Sequence, residues 1–521
     1  MKEKTQNNQL LYPIFLVAFL LIYFYVFDSK LDLNGDNASY FILGKALADG
    51  LGYVSPVHPD MPPHSHFPIG YPLLIAGLMK LGIKSLVGIK IFNGVLLFAT
   101  GIMSFQLYKK LVSSNNLAFI GSLAIFFNPV LMRQATIIMS EVPFLFFTTL
   151  GLFSYVKFIH SETDPWYKRW SFYVMLFSLI YGFYLKTLGF VTIGAVGISM
   201  LVRKNWPQTI TAGLVFLGGV GPSFFKSTGG SNYVGQLLAV NPYDKSLGTV
   251  GFSDLVDRAV ENITKYGTNI IPSTVVPFVQ ESIKENTFLG GIVGLIILAL
   301  IVIGIKSIKE KWLMTAFFLF TAFVLIFWPQ VWSSSRFMIH LVPLFMFMTF
   351  FGLFIVVNKL TQKYFKKEWG VAAVVVVVLL GLPGMQFQNL RAESDYPPQF
   401  KQYFRVAEWC KKNTPQDALI IARKPNMFYL FADRHVLKHE FTRDDIVLMD
   451  DLVENGADYV VLESLGYGST YKYLLPAIKK HSYAFPRVLN YQNPPTMLFQ
   501  FNAQAYMQNR NNAVSGNGQN Q

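Results

Sequence analysis

The residues of this sequence that could carry out chemistry are ionisable side chains at the edges of long apolar runs. Asp36 follows the first apolar run in "NGDNASY", and Glu141 opens a later one in "MSEVPFLF". Lys186 and Arg336 interrupt apolar sequence in "FYLKTLGF" and "SSSRFMIHLVPLF". A carboxylate can take a proton from a hydroxyl or an amine, and Lys or Arg can stabilise the charge that develops on a phosphate leaving group. This combination is suited to moving a group from a phosphate to an acceptor.

Further polar side chains accompany these four. Tyr40 follows the aspartate by one helical turn, and His340 follows the arginine by one turn. His64 and His66 form an i, i+2 pair among prolines in "PPHSHFPIGYPLL". A metal ion could use this pair, although histidines in loops are more often simply polar.

Composition indicates an integral membrane protein. Hydrophobic residues make up 52% of the chain and charged residues only 14%, whereas soluble domains carry about 25% charged residues. The net charge of +14 could suggest nucleic acid as a partner. The basic residues lie in short loops between apolar runs, however, and no basic helix interleaves with base-stacking aromatic residues, so nucleic-acid binding is excluded. The single cysteine, Cys410, excludes an intrachain disulfide and a cysteine-based metal cluster.

The hydropathy pattern predicts a mainly α, polytopic architecture, because a membrane-spanning helix needs about 20 mostly apolar residues. About eleven stretches qualify as transmembrane helices: 10–27, 86–108, 115–132, 137–156, 171–186, 187–202, 207–226, 286–305, 312–330, 337–358 and 370–388. The first of them lacks a convincing cleavage site, which favours a retained anchor over a signal peptide. The run 70–83 is short and contains Lys80, so it is predicted to lie on the membrane surface.

The loop charges predict the orientation of these spans. With the N-terminus in the cytoplasm, the positive clusters fall on the inner side, as the positive-inside rule requires. These clusters contain Lys109 and Lys110; Lys157, Lys168 and Arg169; Arg203 and Lys204; Lys306, Lys309 and Lys311; and Lys359, Lys363, Lys366 and Lys367. The loops 28–85 and 227–285 and the C-terminal region are then extracytoplasmic, and so are all the candidate site residues.

The pattern changes after the last span. Residues 391–399 are a polar linker, and 400–503 alternate helical and strand-like patterns typical of a small α/β domain. Residues 504–521, rich in Asn and Gln, are predicted to be a disordered tail. The 1–390 region forms the membrane domain, with short amphipathic helices over 37–49 in the first outer loop and 253–266 in the second.

The order of these motifs resembles the GT-C membrane glycosyltransferases, particularly the polyprenyl-phosphate-sugar branch that includes protein O-mannosyltransferases and the lipid A aminoarabinose transferase. "GDNASY" resembles their acidic signature after the first span, and "HSHFPIGYPLL" resembles a second juxtamembrane segment. "MSEVPFLF", "LKTLGF" and "SSSRFMIHLVPLF" resemble their later acid, lysine and arginine motifs. The resemblance covers roughly residues 1–390. Asn37 stands where the family often has a second acid.

The resemblance implies that one sugar moves from a polyprenyl-phosphate donor to a lipid, glycan or protein acceptor, with inversion, on the outer face of the bacterial cytoplasmic membrane. Asp36 would be the catalytic base, and Lys186 and Arg336 would bind the donor phosphate. The remaining candidates would shape the acceptor or sugar pocket: Tyr40, His64, His66, Glu141 and His340. No metal ligands are assigned, and Asn37 leaves open whether a divalent metal is a cofactor.

Structural interpretations compete for the same residues. Asp36 could cap the helix that follows it, and Glu141 could cap its own span. Lys186 could mark a tight turn, and Arg336 could anchor its span at the interface.

Two other functions share part of the pattern. A lipid-linked glycan flippase, another transporter or an O-antigen-ligase-like protein would also have many spans, although transporters favour inverted repeats and charges near mid-membrane. An oligosaccharyltransferase shares the early aspartate, but the Trp-Trp-Asp motif of its soluble domain is missing from this sequence.

Overall fold

The computed structural model describes residues 11–161, 164–225, 233–242 and 244–517. It is mainly helical and divides into two compact units. The first unit contains the chain up to Lys30 together with Ser65–Leu74 and Ile83–Glu393. The second contains Leu31–His64, Ile75–Gly82 and Ser394–Gln521.

Apolar helices form the first unit. Within the described residues, five helical stretches are long and apolar enough to cross a membrane: Leu86–Leu111, Glu141–Ile159, Thr287–Lys306, Val342–Phe365 and Gly370–Asn413. The last is broken after Leu379 and Glu393, and its residues from Ser394 onward are assigned to the second unit. The other apolar helices are Leu11–Tyr25, Trp170–Leu185, Phe190–Val202, Trp206–Phe225 and Lys311–Ile326. These helices confirm a polytopic membrane protein and account for the predicted spans, apart from the break within 370–388 and one further exception.

That exception is the predicted span 115–132, which is wrong as a single helix. The chain forms Asn115–Leu123 and then Pro129–Ala135. Asn128 caps the second helix by accepting hydrogen bonds from the N–H groups of Val130 and Leu131, both at 3.1 Å. Asn is a favoured N-cap and Pro favours the first helical position, so the two residues together start a new helix here.

The second outer loop and its flanks contain shorter elements. Helix Phe252–Lys265 confirms the predicted amphipathic helix over 253–266. The other elements of this region are Tyr233–Leu238, strands β1 (Ala239–Asn241) and β2 (Asp244–Thr249), Ile271–Val275 and Gln280–Glu285. Helix Gly70–Lys80, predicted over 70–83, has 11 residues and is too short to span a membrane.

Glycines allow two long helices of this unit to pack closely. A Cβ atom on Gly352 would lie 2.0 Å from the carbonyl oxygen of Leu300, and one on Gly304 would lie 2.5 Å from that of Met348. Small residues at such positions let helix backbones approach one another inside a membrane. Helices Thr287–Lys306 and Val342–Phe365 therefore depend on these two glycines for their contact.

An ion cluster joins the ends of three helices in the same unit. Glu310, 3% exposed, precedes helix Lys311–Ile326 and accepts a hydrogen bond from Arg203, which follows Phe190–Val202. His160, at the end of Glu141–Ile159, places Nε2 3.2 Å from the same carboxylate. Glu310 thus fixes the ends of three neighbouring helices on the side that the loop charges predict to be cytoplasmic.

The second unit is built on a five-stranded sheet. Its strands are β3 (Leu419–Ile421), β4 (His435–Leu437), β5 (Tyr459–Leu462), β6 (Arg487–Tyr491) and β7 (Thr496–Gln500), in the spatial order β4-β3-β5-β7-β6. β3 pairs in parallel with β4 and β5, and β7 runs antiparallel to β5 and β6. The helices include Pro398–Asn413, Pro425–Ala432, Asp445–Glu454, Leu475–Lys480 and Ala503–Asn517. The predicted small α/β domain is confirmed.

Two predicted boundaries of this domain change. Helix Gly35–Ala48 of the first outer loop belongs to the same unit and packs on Pro425–Ala432, where Asn426 donates to the Ser39 hydroxyl at 2.6 Å. Helix Ala503–Asn517 replaces most of the predicted disordered tail, and Tyr506 is buried there with its hydroxyl 3.1 Å from Asp450. The disorder predicted for 504–517 is therefore wrong, and 518–521 lie outside the described residues.

The substitution Gly352→Ala tests the glycine contact. The added methyl group would overlap the Leu300 carbonyl, so we expect a loss of about 1–3 kcal/mol of stability, seen as a lower Tm of the purified protein in detergent. Gly291→Ala in helix Thr287–Lys306 is the matched control, because its Cβ would meet nothing closer than 3.8 Å. Equal Tm values for the two variants would contradict the proposed contact.

Candidate active site

The centre of the candidate site is the Glu141 carboxylate. Glu141 is the first residue of helix Glu141–Ile159, and its side chain is fully buried. Its Oε1 accepts a hydrogen bond from Lys186 Nζ at 3.0 Å and another from Arg336 Nε. Oε2 has no hydrogen-bond partner among the described residues. The site thus holds three of the sequence-predicted residues together, although they are 45 and 195 positions apart along the chain.

Lys186 reaches this carboxylate because the chain breaks there between two helices. Trp170–Leu185 ends at Lys186, whose φ of −153° and ψ of 126° are extended, and a short 3-10 turn leads into Phe190–Val202. The turn is tight, since a Cβ on Gly189 would lie 2.7 Å from the backbone nitrogen of Phe183. The lysine predicted to mark a turn does so, and it also forms an ion pair.

Arg336 lies in an irregular segment that other elements hold in place. It belongs to the 3-10 turn Ser335–Met338, just before helix Val342–Phe365. Asn262 of the outer-loop helix donates to the carbonyl oxygens of Ile326 and Trp328 at 2.8 and 2.7 Å, and it accepts from the Ser333 hydroxyl at 2.6 Å. Asn262 therefore fixes the backbone on the N-terminal side of Arg336.

Arg258 adds to this clamp. It is 4% exposed, and its guanidinium donates to the carbonyl oxygens of Leu237 and Ala239 at 2.6 and 2.8 Å and to that of Phe327 at 3.5 Å. Sequence reasoning identified the helix that carries Arg258 and Asn262 but missed both residues. The available signal was their i, i+4 spacing on the polar face of a strongly amphipathic helix.

Aromatic rings line the two cations. Lys186 Nζ lies 4.9 Å from the ring centroid of Phe337, and Arg336 Cζ lies 5.9 Å from it. His340 is 3% exposed and packs against Phe144 and Phe317, with ring centroids 5.0 and 5.9 Å apart. His340 is therefore a buried neighbour of the cluster and does not line an open surface.

In this cluster one carboxylate contacts two cations. Removing two charges from water is expensive, and such a pair persists only when its hydrogen bonds are well formed. The Lys186 and Arg336 side chains remain 15% and 25% exposed, whereas the Glu141 side chain is fully buried. The two cations are therefore the exposed part of the cluster, and Lys and Arg side chains can stabilise an anion.

Asp36 belongs to the second unit, in the first turn of helix Gly35–Ala48. The capping alternative is wrong, because Asn34 is the N-cap and its side chain accepts from the Asp36 N–H at 3.3 Å. Tyr40 is 2% exposed on the same helix. Asn37 is fully buried and donates to the Asn34 carbonyl at 3.1 Å, so the residue in place of a second acid has a structural contact.

The two histidines of the predicted pair belong to different units. His64 belongs to the second unit, where its ring centroid lies 5.3 Å from that of Tyr53, while His66 is assigned to the first unit and contacts the neighbouring Phe67 ring. Within the described ranges, no group of three His, Cys, Asp or Glu side chains is arranged to hold a metal ion.

A buried lysine was missed by sequence reasoning. Lys90, 1% exposed in helix Leu86–Leu111, donates to the backbone carbonyls of Asp28 and Lys30. It therefore fixes the chain as it leaves the first apolar helix. The signal was a lone cation inside a long apolar run, which is a candidate for function or for a carbonyl contact.

Most of the chain is similar in fold to solved structures of two other proteins. ArnT from Cupriavidus metallidurans, bound to undecaprenyl phosphate, matches with a TM-score of 0.57 at 10% identity, over 94% of this chain and 97% of that one. The oligosaccharyltransferase AglB from Archaeoglobus fulgidus, in complex with an inhibitory peptide and a dolichol-phosphate, matches with a TM-score of 0.58 at 12% identity, over 95% of this chain and 74% of that one. This chain has the GT-C fold.

Two sequence comparisons match parts of the chain. The family model of dolichyl-phosphate-mannose-protein mannosyltransferase matches residues 71–217, which contain Glu141 and Lys186. An uncharacterised protein of Aquifex aeolicus is 23% identical over 149 residues, which are 29% of this chain and 30% of that protein. The chain thus covers under a third of this relative.

Removing the shared carboxylate should destabilise the GT-C helices. In Glu141→Gln the two cations lose their anionic partner, and breaking a buried ion pair costs about 3–5 kcal/mol. We expect a Tm several degrees below that of the parent protein. Glu281→Gln is the control, because Glu281 is 81% exposed and pairs with the neighbouring Lys284; its effect should stay within about 0.5 kcal/mol. Similar Tm values for both variants would show that the cluster does not hold the helices.

Proposed function

We propose that this protein is a membrane glycosyltransferase that moves one sugar from a polyprenyl-phosphate donor to a lipid, glycan or protein acceptor. The observation that carries the proposal is the pair of cations, Lys186 and Arg336, held on one buried carboxylate at the ends of apolar helices. The GT-C fold and the match of residues 71–217 to a mannosyltransferase family support it. The solved ArnT structure holds undecaprenyl phosphate, and the solved AglB structure holds a dolichol-phosphate.

In the proposed reaction, Lys186 and Arg336 contact the donor phosphate. An acceptor oxygen or nitrogen attacks the anomeric carbon, the bond from that carbon to the phosphate oxygen breaks, and polyprenyl phosphate leaves with the electron pair. Negative charge grows on the phosphate as this bond breaks, so the two cations stabilise the transition state more than the ground state. Asp36 takes the proton of the acceptor, and the single displacement inverts the anomeric configuration.

Glu141 receives a different role from the one that the sequence suggested. Its Oε1 is already occupied by both cations, so we assign it to positioning these cations and not to the sugar pocket. A double displacement with Glu141 as nucleophile is disfavoured because a nucleophilic carboxylate must reach the sugar, and this side chain is fully buried.

The proposed location is the outer face of a bacterial cytoplasmic membrane, with the N-terminus in the cytoplasm. Glu141 begins its helix and His160 follows the end of the same helix, so the Glu141 cluster and the Glu310 cluster lie at opposite ends of it. The basic loops accompany the Glu310 end. The positive-inside rule therefore favours the extracytoplasmic side for the proposed donor site.

The substitution Asp36→Asn tests the proposed base. We expect transfer to fall by at least about a hundredfold, the usual range for loss of a general base, while donor binding stays unchanged. The assay measures polyprenyl phosphate released from labelled polyprenyl-phosphate sugars in the presence of a cell-envelope extract. Asp49→Asn is the matched control, since Asp49 ends the same helix and forms an exposed pair with Lys45 at 3.2 Å. Transfer at the parental rate by Asp36→Asn would remove the aspartate from the mechanism.

The substitutions Lys186→Gln and Arg336→Gln test the phosphate site. Each removes one charge-assisted contact, which corresponds to about tenfold weaker binding of undecaprenyl phosphate. The measurement is a direct binding titration of the purified protein. Lys84→Gln, which changes an exposed cation of the first outer loop, should leave the affinity as it is. Unchanged affinity in both site variants would refute a phosphate site at these residues.

A further inference from the structure

The carboxyl ends of the parallel strands β3, β4 and β5 form one edge of the sheet in the second unit, and no residue at this edge has a role in the reaction proposed above. The chain passes from β3 to β4 on one side and then from β4 to β5 on the other side of β3. The order of the parallel strands thus reverses between β3 and β5. In open α/β sheets, ligands bind beyond the carboxyl ends of the strands at such a switch point.

Cations and aromatic rings gather beyond these strand ends. Arg423, which follows β3, places its Cζ 5.0 Å from the ring centroid of Phe441 and 4.4 Å from that of Tyr467. Lys424 Nζ lies 4.9 Å from the Tyr467 centroid, and Lys438 Nζ, after β4, lies 5.3 Å from the Phe441 centroid. Three positive charges therefore surround two rings.

These charges are not neutralised within the described part of the chain, where no carboxylate oxygen lies within 4.0 Å of Arg423, Lys424 or Lys438. The buried acid on this edge, Glu463, instead accepts hydrogen bonds from the Leu465 N–H and the Thr470 hydroxyl. Like charges this close repel one another, and a bound anion would relieve that repulsion.

His439 adds a second kind of contact at the same place. Its ring centroid is 5.1 Å from that of Phe441, and the residue is 1% exposed. Nδ1 lies 2.8 Å from the carbonyl oxygen of Glu440, which can only accept, so Nδ1 carries the proton. Nε2 is then an acceptor, and among the described residues it has no hydrogen-bond partner. Burial lowers the pKa of His439, which keeps the ring neutral and leaves Nε2 as a buried acceptor without a donor among the described residues.

We propose that this edge binds a saccharide that carries a phosphate or carboxylate group. Arg423, Lys424 and Lys438 contact the anionic group, and His439 Nε2 accepts a hydrogen bond from a sugar hydroxyl. The aromatic rings provide the apolar lining that small-molecule sites usually have.

This inference rests on the proposed function, because the edge lies near Asp36, which we propose as the catalytic base. Helix Gly35–Ala48 is part of the same unit, and a Cβ on Gly35 would lie 4.0 Å from Lys424 Nζ. Asp36 is the next residue in that helix. The edge thus lies beside the proposed base, where an acceptor must bind. The proposed acceptor of the GT-C reaction is therefore an acidic glycan or glycolipid.

Binding can be measured without any transfer reaction. The full-length protein in non-ionic detergent is titrated with glucose 6-phosphate, and binding is followed by ligand-observed NMR. We expect Arg423→Gln and Lys438→Gln to weaken binding about tenfold each, the size of one lost charge-assisted hydrogen bond. Lys412→Gln, an exposed cation of the same domain, is the matched control and should bind like the parent. Arg423→Lys keeps the positive charge and should therefore bind glucose 6-phosphate more tightly than Arg423→Gln does, which separates loss of charge from misfolding.

Further ligands separate the parts of the proposal. Glucose should bind at least tenfold more weakly than glucose 6-phosphate, and equal binding would overturn the anionic contact. Inorganic phosphate should also bind more weakly, and equal binding would reduce the site to a phosphate or lipid-headgroup contact without a sugar. Unchanged binding in both Arg423→Gln and Lys438→Gln would overturn the site itself. We expect Asp36→Asn to lose sugar transfer but to bind glucose 6-phosphate like the parent protein. The binding titration therefore tests the saccharide site separately from the proposed transfer reaction.

Discussion

The ion cluster of Glu141 with Lys186 and Arg336 is the interaction on which the rest of the GT-C unit depends. It joins the start of one helix, the break between two others and an irregular segment before a fourth. Each of these features would be unfavourable alone, because each exposes charge or unpaired backbone at the edge of an apolar bundle. Together they pair the buried Glu141 carboxylate with two cations. The outer-loop clamp through Arg258 and Asn262 and the tight turn at Gly189 can be understood as supports for this contact.

The sequence was sufficient to predict where the charges interrupt the apolar runs, since a lysine in a 32-residue apolar stretch or an arginine before a proline-containing helix is visible without a structure. It was also sufficient for the elements of the α/β domain, whose strand and helix patterns are regular. It could not show that Lys186 and Arg336 share a single carboxylate, because sequence distance carries no information about partners. Glu141 therefore looked like a pocket residue when its carboxylate is occupied by cations.

Predictions from short stretches of sequence were wrong where a neighbouring residue could play the same structural role. Asp36 was a reasonable helix cap, but Asn34 takes that position with a side chain of similar length. Asp32, in the loop before this helix, is 7% exposed and accepts a hydrogen bond from the Asn34 N–H at 2.9 Å. The first outer loop also joins the C-terminal domain, through contacts such as the Val436 N–H with the Val57 carbonyl at 2.8 Å. Contacts between segments nearly 400 residues apart leave no periodic signal in either segment.

The central claim is that Lys186 and Arg336 hold the phosphate of a polyprenyl donor. The most direct test is a cryo-electron-microscopy structure of the full chain in lipid nanodiscs with undecaprenyl phosphate. The account predicts density for the phosphate within hydrogen-bonding distance of Lys186 Nζ and the Arg336 guanidinium, with both side chains still in contact with Glu141. A phosphate bound elsewhere on the protein, with these two cations in contact only with protein groups, would contradict it.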